Sequence, residues 1–344
     1  MAERILVVTA VRDEGPNLVH WIAHNRAAGV DAHLVFSNDC ADGTAELLDR
    51  LAPAGVTHVR NRVPQGRTPQ WAALKQAARH PETTRADWIM VLDCDEYLNL
   101  RPPLTSVPDL IARARADAVV LPWRLFGSSG HADRPDPPPT RAFTRAIAPD
   151  ALFPPLSRFF KTLYRRAAFR APGVHRPKPG PIAADWADGS GARLPRAFAQ
   201  GRQIMQWGAP LATDLVQLNH YSVRSAAEFT AKAARGLPNH TAKPVDLAYW
   251  VERNFNTVED TSILAMEPAT QSEAAGLRAL PGVAEIEDES RAWHRSRFAA
   301  ALTDPDMLKL YGRLLMAPGS HAPDRDTALR LVELYGRCMG QGAP

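Results

Sequence analysis

The sequence predicts an α/β fold: a mostly parallel sheet flanked by helices, followed by a mainly helical C-terminal portion. Strand and helix signals alternate through the first hundred residues, the sequence mark of a parallel sheet with helices packed on its faces, and the strand from Trp88 to Leu92 is apolar throughout. The last hundred residues instead carry helical stripes such as Leu329, Val332 and Leu334.

Ile5 to Val8 is a short β-branched run of buried-strand type. Glu14-Gly15-Pro16 opens a helix striped by Leu18, Trp21 and Ile22, with Gly29 as its stop. The second strand is His33 to Phe36. Asp42-Gly43-Thr44 makes a turn and cap for a helix carrying Leu47, Leu48 and Leu51, and a third strand covers Val56 to Val59. Thr68-Pro69 starts a helix holding Trp71 and Leu74. The next strand, Trp88 to Leu92, ends at Asp93-Cys94-Asp95-Glu96. A helix near Pro108 to Arg115 and a strand from Ala118 to Trp123 follow. From about 124 to 213 Pro, Arg and Gly dominate and no regular element is assigned. A strand at Leu215 to Leu218 runs into Asn219-His220-Tyr221-Ser222, and a helix from Ser225 to about Arg235 follows. Two units are expected, 1–240 and 241–344.

Composition limits the function. Of 344 residues, 45% are hydrophobic and 23% charged, an ordinary globular mixture that excludes a disordered or fibrous chain. The net charge of +4 arises from 41 basic residues nearly balanced by 37 acidic ones, so nucleic acid is not an expected partner. Three scattered cysteines, Cys40, Cys94 and Cys338, suit neither a disulfide framework nor a zinc site. No stretch approaches the ~20 apolar residues of a membrane span, and residues 1–4 lead straight into a strand rather than a signal-peptide core. A cytoplasmic protein is expected.

The acidic cluster carries the strongest chemical signal. In open α/β sheets ligands bind beyond the carboxyl ends of the strands, and carboxylates at alternate positions there can hold a hard cation against a diphosphate. An acidic turn that caps a helix is the competing reading. His220 could add a nitrogen ligand from a second strand end, or be an ordinary core histidine. Arg12-Asp13-Glu14 and Ser37-Asn38-Asp39 follow strands one and two on the same rim, where polar side chains can bind a nucleoside; turn and cap chemistry explains them as well. Thr9 to Gly15 lacks both G-x-G-x-x-G and a P-loop lysine, which weighs against dinucleotide oxidoreductases and P-loop NTPases.

Several motifs in order resemble one family. Val11-Arg12-Asp13-Glu14-Gly15-Pro16-Asn17-Leu18 with Trp21, Gly29-Val30-Asp31, Ser37-Asn38-Asp39 with Asp42-Gly43-Thr44, Gln70, Leu92-Asp93-Cys94-Asp95-Glu96-Tyr97-Leu98, Phe126-Gly127-Ser128-Ser129-Gly130, and Asn219-His220-Tyr221-Ser222 ending in Phe229, Lys232 and Gly236 look like the bacterial family 2-like glycosyltransferases. The likeness spans about residues 4 to 240. It implies a GT-A-like, Rossmann-like sheet and a transferase that takes a sugar from a nucleoside-diphosphate sugar, a UDP- or GDP-sugar, to a hydroxyl acceptor such as a glycan or glycoconjugate. It further implies Mn²⁺ or Mg²⁺ as cofactor, with Asp95 as its main ligand, Asp93 reaching the ribose or the metal, and His220 completing the site. Arg12, Glu14, Asn38 and Asp39 match positions near the nucleoside. Gln70 matches a recurrent position whose task the sequence leaves open.

One departure concerns the catalytic base. Many family 2 enzymes carry a second acidic motif, whereas here the Glu-Asp pair weighed for that role, Glu259-Asp260, lies after the His220 motif. Asp185, Glu259 and Asp260 are the candidates. Ser128, Ser129 and His131 are expected on a flexible acceptor-side loop, and Lys161, Arg165, His175 and Arg176 in a basic stretch suited to a phosphate or an anionic acceptor, or simply to solvent. Two other classes compete: a magnesium-dependent phosphatase or nucleotidyltransferase, whose expected loop chemistry after strand one is missing, and a non-catalytic carbohydrate-binding or scaffold protein.

Overall fold

The computed structural model describes residues 3–206, 211–235 and 244–338. Gly236 and the 240/241 boundary expected between the two units lie outside them. One sheet organises the chain. Its strands are β1 (Ile5–Val11), β2 (Ala32–Ser37), β3 (Val56–Arg60), β4 (Trp88–Val91), β5 (Glu96–Leu100), β6 (Ala118–Leu125), β7 (Phe160–Arg165), β8 (Trp186–Ala187) and β9 (Val216–His220). They lie in the order β3-β2-β1-β4-β7-β6-β9-β5, with β8 beside β6.

The pairs β1–β2, β2–β3, β1–β4, β6–β8 and β6–β9 are parallel, whereas β7 runs antiparallel between β4 and β6 and β5 runs antiparallel to β9. The sheet is therefore mixed, with parallel pairs in the majority. Every residue of β2, β4 and β6 is buried, the polar His33, Ser37 and Arg124 included. The acidic turn falls where the chain leaves the middle of the sheet at β4 and rejoins it at the edge as β5.

Two corrections to the sequence reading concern the site. The last strand is Val216–His220, not Leu215 to Leu218: pairing with β5 and β6 continues through Asn219 and His220, so His220 is a strand residue rather than the start of a loop. The unassigned middle contains β7, and its residues separate β4 from β6.

Helix α1 (Gly15–Ala27) packs against α2 (Glu267–Arg278), and α3 (Val283–Ala301) lies against α1 and against the helix Ala226–Arg235. The helical C-terminal part thus closes over the first βα unit. Approach is closest at Gly15, where a Cβ would come 2.3 Å from the Ser290 hydroxyl; no other residue fits there. Val332 is buried in the last helix as its stripe implies, but Leu334 is 43% exposed. Among the described residues no helix is long and apolar enough to cross a membrane.

Candidate functional site

The carboxyl ends of β1, β4 and β9 meet at one cleft. At the end of β1, the Asp13 carboxylate is buried and accepts from Ala41 N at 2.7 Å, pinning the turn in which Asp13 itself has φ +50°. Its neighbours face outward. Glu14 accepts two hydrogen bonds from Arg224, both 3.1 Å, and Arg12 is one-third exposed. At the end of β2, Asp39 reaches the cleft with φ +46°. Asn38 does not: it is buried, its side-chain amide donates to Val11 O at 3.2 Å, and it lines neither cavity. It ties β1 to β2 rather than facing a nucleoside.

The two aspartates of the acidic turn have different surroundings. Asp93 accepts from Gln70 Nε2 at 3.1 Å and from Lys161 Nζ at 3.0 Å. Lys161 is fully buried and also lies 3.4 Å from Glu96, whose carboxylate accepts from Asp93 N at 2.8 Å. This gives Gln70 and Lys161 a task, which is to hold the turn. Burial pushes the Glu96 carboxyl well above its usual range, with Lys161 opposing.

Asp95 is held by its backbone, since Tyr221 N donates to Asp95 O at 2.8 Å, and its side chain is left facing the cleft. One carboxylate oxygen lies 3.6 Å from His220 Nε2 and the other 3.8 Å from Lys232 Nζ. Burial alone would raise the Asp95 carboxyl, but His220, Lys232 and Arg224 outweigh it and hold the group far below the carboxylate range. Trp123 packs on the His220 ring with centroids 4.2 Å apart, and among the described residues His220 Nδ1 is buried without a hydrogen-bond partner.

The cleft has two lobes, about 500 Å³ and about 360 Å³, which share Arg12, Glu14, Asp95, Lys232 and Arg235. The larger lobe is ionic: Asp39, Arg134, Arg224 and Glu228 line it, and α3 closes it with Trp293, His294 and Arg297. His294 Nε2 lies 3.0 Å from the buried Asp42 carboxylate, which also bonds Ser290, Thr44 and Gly15 N. Burial would raise the Asp42 carboxyl, but His294 and Thr44 draw it down to about 2. The smaller lobe is aromatic, with Trp123, Phe159, His175 and Tyr249 on its walls. Sequence reasoning missed the α3 residues entirely, because nothing local marks Trp293 as facing the ends of β1 and β2, more than 250 residues earlier in sequence.

The expected catalytic bases are not at the cleft. The Asp185 side chain is 77% exposed, 3.7 Å from Arg193, and its backbone serves the start of β6. Glu259 is exposed on a two-residue strand paired with Arg145. Asp260 accepts from Gln217 and from Ser262 N, both at 3.1 Å, and lies 3.8 Å from Arg101. None of the three lines either lobe. The expected acceptor loop is likewise latched: Ser128 N donates to Asn254 Oδ1 at 2.7 Å, Ser129 N to Asn256 Oδ1 at 2.8 Å, and the His131 ring lies 3.1 Å from Ala142 O. At Gly127 a Cβ would meet Asn256 at 2.3 Å, so that glycine serves this latch. Of the basic stretch, Arg165 pairs with Glu3 and Arg176 stacks on Trp186 and Phe198, while His175 lines the aromatic lobe.

Among the described residues no three His, Cys, Asp or Glu side chains form a cation cage. A magnesium-type site does not need one, since it is commonly built from one or two carboxylates plus substrate phosphates and water. The Asp95 carboxylate, on the smaller lobe, suits that donor set, with the His220 nitrogen 3.6 Å away as an added ligand, whereas Asp93 already serves Lys161 and Gln70.

No family model matches the chain. It is 24% identical over 169 residues to a glycosyltransferase family 92 protein of Oryza sativa subsp. japonica, a stretch covering 45% of this chain and 28% of that protein. The chain thus spans little more than a quarter of the length of that relative. Among solved structures, S. aureus TarS 1–349 aligns with 98% of this chain and 92% of its own at 13% identity and TM-score 0.32. The same fragment in complex with UDP aligns over 48% and 47% at 15% identity and TM-score 0.30.

Proposed function

We propose that the chain is a GT-A-like, nucleotide-sugar-dependent glycosyltransferase that moves a sugar from a UDP- or GDP-sugar to a hydroxyl of a glycan or glycoconjugate, with motifs that resemble those of the bacterial family 2-like enzymes. The observation that carries the proposal is the single cleft at the ends of β1, β4 and β9, where Asp95 stands between His220 and Lys232. The similarity to a family 92 glycosyltransferase supports it.

The ionic lobe takes the nucleoside diphosphate. Asp39 and Glu14 are acceptors for ribose or base, and Arg12, Lys232 and Arg235 present cations to the phosphates. The departing diphosphate gains charge as its bond to the sugar breaks, so cations fixed beside it stabilise the transition state more than the ground state. Asp95 and His220 would hold Mn²⁺ or Mg²⁺; when bound, the ion supplies further positive charge against the same oxygens. The aromatic lobe then takes the sugar and the acceptor, whose apolar ring faces pack on Trp123 and Tyr249.

The test is thermal unfolding with UDP and with GDP, each with Mn²⁺ and with EDTA. A rise in Tm with one nucleotide, larger with Mn²⁺, is the expected result. No rise with either nucleotide under any condition would contradict the proposal.

A further inference from the structure

Displacement of a sugar by a hydroxyl requires a proton acceptor, and the three carboxylates expected in that role, Asp185, Glu259 and Asp260, line neither lobe of the cleft. We propose that His175 is the catalytic base, taking the acceptor's proton on Nε2; the inference rests on the transferase reading above. The argument is geometric. Phe160 O lies 2.8 Å from His175 Nδ1. A carbonyl only accepts, so Nδ1 carries the hydrogen and Nε2 is left with its lone pair. The ring lines the aromatic lobe, and among the described residues Nε2 has no hydrogen-bond partner.

The ring is also held in place. It stacks on Phe159 at 5.2 Å and 24°, and the edge of Trp123 meets it at 5.4 Å. Thr162 Oγ1 donates to His175 O at 2.7 Å. The turn that presents it is tight enough to demand glycine, since a Cβ on Gly173 would lie 2.1 Å from Arg176 O. Trp123 contacts both His175 and His220, so one indole links the base to the Asp95 end of the cleft.

The charged and titratable groups facing His175 are Lys161 on β7, Asp93 on the acidic turn and His220 on β9. Burial, reinforced by Lys161 and His220 against the pull of the Phe160 carbonyl and Asp93, lowers its pKa to about 4. The imidazole is then neutral, and able to accept, at ordinary pH. In the reaction a lone pair of the acceptor oxygen forms the bond to the anomeric carbon, and the bond from that carbon to the diphosphate oxygen breaks, with its electron pair leaving on the diphosphate. The acceptor proton passes to His175 Nε2 and from there to solvent. A single displacement of this kind inverts the anomeric centre.

His175→Asn is the variant of choice, because its amide N–H can still donate to Phe160 O but offers no basic nitrogen. His175→Ala opens space for added imidazole. The probes are UDP-glucose, UDP-galactose, UDP-N-acetylglucosamine and GDP-mannose with methyl glycosides as acceptors, read as nucleoside diphosphate release and product anomer. The inference predicts that His175→Asn keeps the parent's nucleotide-induced Tm rise but loses at least ~10²-fold in kcat, that imidazole restores part of the rate to His175→Ala, and that the parent's product is inverted. Parent-like turnover by His175→Asn, a retained anomer, or loss of nucleotide binding together with rate would overturn the base and leave the transferase standing. A parent that turns over none of these donors would remove both.

Discussion

The two lobes of the cleft share five residues and differ in almost everything else. The larger is lined with paired charges, with the C-terminal helix α3 closing it, whereas the smaller is walled with aromatic rings, two of them, Phe159 and His175, from the stretch between β6 and β9. Fixed charge stabilises a charge that develops on reaction, and stacked rings hold an apolar sugar face. On the proposed reading the nucleoside diphosphate falls to the ionic lobe and the sugar and acceptor to the aromatic one, with Asp95 lining both.

The largest effect is expected where the lobes meet. Asp95→Asn keeps the shape of the side chain but removes the charge between His220 and Lys232, and should lower kcat at least ~10²-fold in a transfer assay. A smaller effect, confined to one side, should follow at the donor lobe: Glu14→Ala and Asp39→Ala should weaken UDP or GDP binding about 10-fold by calorimetry, the scale of one charged hydrogen bond. Equal losses of acceptor affinity in these variants would break the division into lobes.

The roof of the donor lobe should be sensitive to acid. Asp42 titrates at about 2 in the folded chain against an ordinary 3.8, so its ionised form stabilises the fold by about 2 kcal/mol above pH 4, and this is lost as the pH falls toward 2. Asp42→Asn should therefore melt several degrees below the parent at pH 7, with the gap closing as the pH falls below 4. A gap that stays constant over that range would show that the bond to His294 does not secure α3. The smallest effect is expected far from both lobes, at Asp185→Asn, whose turnover should stay within about twofold of the parent.

The lobes also differ in how much of them the sequence made legible. Arg12, Glu14, Asp39 and Asp95 follow apolar runs whose strand character is local, so their place on a common rim follows from the α/β pattern. The aromatic lobe depends on contacts that no local pattern carries. Phe160–Arg165 reads as polar because it contains Lys161, which is buried only because Asp93 and Glu96, more than 60 residues earlier, compensate its charge. His175 sits in an irregular turn, and its tautomer is set by a carbonyl 15 residues away. Asp260 is a candidate base from the sequence because Glu259-Asp260 matches the Glu-Asp form of a second acidic motif, yet Gln217 and Ser262 occupy its oxygens.

The most direct test of the central claim is nucleoside diphosphate release from the four-donor panel by the parent and by Asp95→Asn, in Mn²⁺ and in EDTA. The account predicts that the parent turns over a UDP- or GDP-sugar, fastest with Mn²⁺, and that Asp95→Asn, assayed well below its own Tm, is at least ~10²-fold slower. An Asp95→Asn enzyme as fast as the parent, or a parent inert toward every donor, would contradict it.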